Sequence, residues 1–192
     1  MNPDWVSIVQ NIATVFGPTP DESEVKYLIV GSVASVLQNC NFEPNDLDIT
    51  FPDRENLNRG IHRLSTNMML KETDEINTES FGDFRWHISR SHLAETKCDL
   101  VYIERGGAIP DSDSGEGIWE GGKLIWHRHN IVRVGEHDIP VAPLPIQFES
   151  QVRRQHIDRA IEIKRVLNQV GYNIAEVKQS LSQTSLEIFY KI

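Results

Sequence analysis

Residues 27–51 constrain this chain more than any other stretch. Tyr27-Leu28-Ile29-Val30 is short, apolar and partly β-branched, and predicts a buried strand. Gly31-Ser32 follows at once. Val33-Ala34-Ser35-Val36-Leu37 then suits a helix, and Asn39 to Asn45 carries turn chemistry. Asp46-Leu47-Asp48-Ile49-Thr50-Phe51 alternates polar and apolar residues strictly, which marks a strand with two unlike faces. Strand, glycine turn, helix and strand in that order commit the chain to a sheet with helices packed on it.

The flanking sequence extends this pattern. Trp5, Ile8, Val9, Ile12 and Val15 recur at helical spacing, and Gly17, Pro18 and Pro20 stop that helix. Asp53 can start a helix over about 54–69, with Leu57, Ile61, Leu64 and Met68 on one face. Residues 71–82 read as a polar loop. Phe84 to Ile88 and Cys98 to Ile103 are candidate strands, and 104–122 is an expected exposed loop. Leu124-Ile125-Trp126 and Ile131 to Val134 suggest a hairpin or two short strands, and Ile139 to Pro145 an extended connector. One long helix is expected over 146–169, with Phe148, Val152, Ile157, Ile161 and Leu167 in the core and Gly171 ending it. A final helix should run from Asn173 to about Tyr190. The class is α/β or α+β, divided as a core over 1–145 and a helical C-terminal segment over 146–192 packed upon it.

Asp46 and Asp48 carry the chemistry. At positions i and i+2 of a strand their side chains share a face, roughly 6–7 Å apart. Two carboxylates so placed repel each other and resist desolvation unless a cation neutralises them. Mg²⁺ prefers such oxygen ligands and usually takes one or two carboxylates together with substrate phosphates. Gly31 allows a backbone to approach a ligand closely, and a helix N-terminus favours phosphate. Alone, an Asp-x-Asp reads as a solvated strand face, and a glycine turn is common. Their occurrence together, in this order, singles them out.

Leu28-Ile29-Val30-Gly31-Ser32 followed by Asn45-Asp46-Leu47-Asp48-Ile49 resembles the signature of the DNA polymerase β-like nucleotidyltransferase superfamily. The resemblance covers about residues 25–103. It is nearest to the small lincosamide- and aminoglycoside-type and abortive-infection toxin-type members. It implies a mixed nucleotidyltransferase-type sheet flanked by helices, and a third carboxylate on a later strand, for which Asp99 in Lys97-Cys98-Asp99-Leu100-Val101 is the natural candidate. It further implies that Asp46, Asp48 and Asp99 hold Mg²⁺, as two ions with Mn²⁺ the alternative, and that Gly31 and Ser32 contact phosphates. The reaction implied moves a nucleoside monophosphate from a triphosphate such as ATP to a hydroxyl acceptor and releases pyrophosphate. The acceptor stays open between a small molecule, a tRNA end and a protein. In one respect the chain departs from many relatives: where they carry a basic residue before the Asp pair, Phe42-Glu43-Pro44-Asn45 stands here. That leaves open a catalytically inactive module that binds nucleotide or a partner, or a phosphate anchor elsewhere. Arg154 and Arg159, beside Asp158 on the expected long helix, are candidates for such an anchor, and also read as a solvated helix face with local ion pairs.

A net charge of −9 disfavours a nucleic-acid acceptor, since phosphate-binding surfaces are basic. No apolar run approaches a membrane span, and the first residues lack the basic start of a signal peptide, so a cytoplasmic protein is expected. Cys40 and Cys98 are expected as buried free thiols. Asp111-Ser112-Asp113-Ser114-Gly115 lacks the ligands of a calcium loop. His87, His127 and His129 show no convincing ligand spacing.

Overall fold

The computed structural model describes residues 4–20, 22–41, 43–67, 69–71, 73–81, 84–93, 95–105 and 117–192. The acidic run 111–115, Phe42 and Met68 lie outside them. Helix α1 (Trp5–Phe16) buries Trp5, Val9, Ile12 and Phe16, and Asp4 caps it by accepting from the Ser7 amide. Strand β1 (Leu28–Val30) leads into α2 (Gly31–Leu37), then β2 (Asp46–Phe51) and α3 (Arg54–Thr66). Four strands follow in antiparallel pairings: β3 (Leu70–Lys71), β4 (Asn77–Phe81), β5 (Phe84–Leu93) and β6 (Thr96–Arg105). The hairpin of β7 (Asn130–Val134) and β8 (His137–Val141) precedes four helices, α4 (Leu144–Arg153), α5 (Ile157–Val170), α6 (Ile174–Ser180) and α7 (Gln183–Lys191).

The strands form one mixed sheet in the order β3-β5-β6-β2-β1-β8-β7, with β4 also pairing β5. β1 runs antiparallel to β2, whereas β2–β6 and β1–β8 are parallel. Strand alternation assigns the two faces. Leu47, Ile49, Phe51, Cys98 and Leu100 turn into a core shared with α1 and α3. Gly60 lets α3 lie flat on this face, because a Cβ there would meet the buried Phe51 ring at 2.7 Å. Leu28 faces the other way, into a cluster with Ile118, Ile125 and Ile146. Phe148, Ile163, Val177 and Phe189 gather α4–α7 around a further cluster that includes Cys40. Both cysteines are free and buried. Among the described residues no helix is long and apolar enough to cross a membrane.

Several elements differ from expectation. The single helix over 146–169 is two helices, α4 and α5, broken where Gln155 takes φ 60°. The break resets the helical phase, so Ala160, Ile163 and Val166 turn inward, while Ile157 and Ile161 are 39% and 50% exposed. Leu124 to His127 form a 3₁₀ turn rather than a strand, and the hairpin is made by 130–134 with 137–141, taking up the expected connector. The polar 71–82 stretch contains β4, whose ladder to β5 overrides its weak strand propensity. The last helix divides at Leu181-Ser182, and Ser182 caps α7 through the Ser185 amide.

Candidate active site

The polar face of β2 is built by the alternation that buries its other side. Asp46, Asp48 and Thr50 project one way while Leu47, Ile49 and Phe51 fill the core. In the parallel pairing of β2 with β6, Asp48 stands directly opposite Asp99, and Asp46 opposite Lys97. Neighbouring strands are about 4.8 Å apart, so the Asp48 and Asp99 side chains leave the same face side by side. Beyond Asp99, the β5 partner is Arg90, which Glu79 of β4 holds through a 2.7 Å ion pair.

Gly31 turns the chain from β1 into α2 with φ +68°, the left-handed region that glycine enters freely. Val30 is paired with Asp48, and a Cβ at Gly31 would collide with Asp48 Oδ2. The missing side chain is therefore the space that the Asp48 carboxyl fills. Ser32 is buried at the start of α2.

These groups open on a cavity of about 310 Å³. Gly31, Ser32, Asn45, Asp46 and Asp48 line one part of it. Val101, Ile103 and Trp86 of the sheet, together with Trp119, Glu120 and Gly121, line another, and Gln151, Arg154 and Arg159 approach from α4 and α5. The structure thus brings Gly31, Ser32, Asp46, Asp48, Arg154 and Arg159 to one cavity. Asp99 does not line it but flanks Asp48 at its edge. Asp158 is exposed.

Glu120 is a site residue that no sequence signal marked. It is 5% exposed, and its Oε1 receives Arg154 Nη2 at 2.6 Å, while Oε2 is buried with no hydrogen-bond partner among the described residues. It lies within the expected 104–122 loop, where neither periodicity nor motif distinguishes one acid from another. Only the fold carries it beneath α4.

Negative charge is crowded here. Burial first, then the charges of Asp46, Glu120 and Asp99, push the Asp48 carboxyl up to about 7, with Arg154 opposing. Asp99 is also raised, chiefly by burial, against the pull of Arg90 and with Asp46 and Glu79 adding to it. Buried Cys98 lies on the opposite face between these acids, and burial together with their charges pushes its thiol up.

Among the described residues no group of three or more His, Cys, Asp or Glu side chains forms a ready-made metal cage. The donor set suits a different kind of site. Asp48 and Asp99 in register on adjacent strands, with Asp46 on the same face two residues before Asp48, offer carboxylate oxygens to a hard cation that would complete its shell with water and phosphate oxygens. The orphaned Glu120 oxygen, and the crowding of Asp46, Glu120 and Asp99 around Asp48 against Arg154, mark a pocket rich in anionic oxygen.

The fold has a solved counterpart. A protein from Thermotoga maritima described as a candidate nucleotidyltransferase superposes with a TM-score of 0.59 at 16% sequence identity, over 88% of this chain and 96% of that one. At that identity the likeness establishes the fold: a mixed sheet of nucleotidyltransferase type flanked by helices, as the resemblance of the sequence implied. No protein-family model and no curated protein matches the chain.

Proposed function

We propose that this protein is a metal-dependent nucleotidyltransferase that moves a nucleoside monophosphate from a nucleoside triphosphate to a hydroxyl acceptor. One observation carries the reading: Asp48 and Asp99 are in register on adjacent parallel strands, with Asp46 two residues before, next to a left-handed glycine turn that opens a helix. The fold neighbour described as a candidate nucleotidyltransferase supports it.

In this reading Asp46 and Asp48 would hold the Mg²⁺ that grips the triphosphate, with Asp99 beside them. A bound ion would neutralise the triphosphate and the departing pyrophosphate. The backbone at Gly31 and the Ser32 hydroxyl face the phosphates, and Arg154 and Arg159 supply the positive charge that the turn before Asp46 lacks. Asp99 would help hold the second ion or accept the proton of the attacking hydroxyl. The acceptor oxygen bonds to the α-phosphorus as the bond to the bridging α–β oxygen breaks, and pyrophosphate leaves with that electron pair. The acceptor is a small molecule, a tRNA end or a protein side chain. The net charge of −9 places nucleic acid last among these.

The test is to incubate the protein with each labelled triphosphate and a Mg²⁺ titration, reading binding and pyrophosphate release. The expected result is metal-dependent binding that Asp46→Ala with Asp48→Ala abolishes. Absence of triphosphate binding, or indifference to that double substitution, would overturn the reading. The lack of a basic residue before Asp46 favours a second reading, a nucleotide-binding module without turnover. Tight, Asp48-dependent triphosphate binding with no pyrophosphate release across a panel of acceptors would support it.

A further inference from the structure

The two ends of the cavity differ in chemistry. Gly31, Ser32, Asp46 and Asp48 make one end, and Trp86, Ile103 and Trp119 make the other. Asp48 pairs across to Asp99, while Trp86 pairs to Ile103 four residues further along β6, so roughly 13 Å of strand separates the ends. The Trp119 indole meets Trp86 at 5.6 Å and 50°, and Phe84 at 5.2 Å and 58°, tilted against both rather than stacked. Its ring is wedged in place by the neighbouring backbone, since a Cβ on Gly121 would meet Trp119 Cη2 at 2.7 Å and Ile103 Cδ1 at 2.6 Å.

With a cation held by Asp46 and Asp48, a ligand that touches both ends would be elongated, carrying phosphate at one end and a planar, apolar group at the other. A nucleoside triphosphate has that form. We infer that the aromatic end is the nucleobase subsite and that Trp119 is its stacking surface, an inference that rests on the nucleotidyltransferase reading above. Aromatic stacking is indifferent to base identity because every base presents a π-face. The subsite therefore favours nucleotides over bare polyphosphate without choosing strongly among bases.

The test compares ATP and inorganic tripolyphosphate, each with Mg²⁺, by calorimetry on the wild type, Trp119→Ala and Trp119→Phe. Trp119→Ala should weaken ATP roughly 5- to 150-fold, the range of one lost base stack, and leave tripolyphosphate binding unchanged. Trp119→Phe should retain most of the affinity. In the wild type, ATP but not tripolyphosphate should quench tryptophan emission, a readout that needs no variant. Unchanged ATP affinity in Trp119→Ala, equal weakening of both ligands, or equal quenching by both would overturn the subsite while leaving the parent reading intact. Failure of the wild type to bind either ligand would overturn the two together.

Discussion

Asp48 shows how a single residue's chemistry works against its stability. Its carboxyl is raised from 3.8 to about 7. An acid raised in the folded state favours folding most when protonated, so stability falls as pH rises from about 4 to about 7 and levels off above that. Three units correspond to at most ~4 kcal/mol, and partial exposure reduces this. Asp48→Asn should therefore stabilise the metal-free protein, by ~1–3 kcal/mol more at about pH 8 than at about pH 5, in urea titrations at the two pH values. The same substitution should abolish metal-dependent triphosphate binding. A gain that did not grow with pH would contradict the account of charge crowding. Gly31→Ala tests the neighbouring contact. The new methyl meets Asp48 Oδ2 and forces a left-handed residue, so we expect a loss of ~1–3 kcal/mol in stability and of triphosphate affinity.

Among elements, the packing of α3 against the sheet and the break between α4 and α5 matter most. Gly60 brings α3 onto Phe51, whose strand carries both Asp46 and Asp48. Gly60→Ala adds helix propensity worth about 1 kcal/mol but drives a methyl into a buried ring. The net effect should be a loss of ~1–3 kcal/mol, and a rise in melting temperature would show that α3 can slide at no cost. The break at Gln155 places Arg154 at the end of α4 and Arg159 near the start of α5, so both arginines reach one cavity from different helices. An uninterrupted helix would put residues 154 and 159 about 140° apart around its axis.

For the whole molecule, the C-terminal helices help position the cavity wall. Glu149 on α4 is fully buried, accepts from the Ser182 amide at 2.8 Å and hydroxyl at 3.1 Å, and pairs with Arg153 at 2.6 Å. Gly117 is pressed against the same group, and the Ile118 amide donates to Ser180 at 2.8 Å. This knot ties the segment carrying Trp119 and Glu120 to the helices. Without the Glu149 carboxylate the partly exposed Arg153 is solvated, but the Ser182 amide and hydroxyl lose their acceptor, at about 1–3 kcal/mol for a buried donor left unsatisfied. Glu149→Ala should lose about that much in urea unfolding and also weaken ATP binding, although it touches no part of the cavity. Loss of stability with unchanged nucleotide affinity at a temperature where the variant is folded would separate the helices from the site.

The residues between 27 and 51 were readable because their signals are local: a β-branched run, a glycine where the backbone turns, and strict alternation on β2, each determined by neighbours in sequence. Asp99 was named through the family resemblance, which implies a third acid on a later strand, and its position beside Asp48 is a register, decided by which strands pair. The break at Gln155 carries no glycine or proline to mark it in the sequence, and the left-handed residue there is evident only in the fold. Glu120 and Trp119 are likewise unmarked, since nothing nearby in sequence says that they face Arg154 and Trp86. Periodicity and turn chemistry within the chain set the strand faces, the glycine corner and the pair of acids. That Glu120 and the tryptophans join the two arginines in one cavity follows from tertiary packing, because those contacts join segments far apart along the chain that come together when sheet and helices fold over one another.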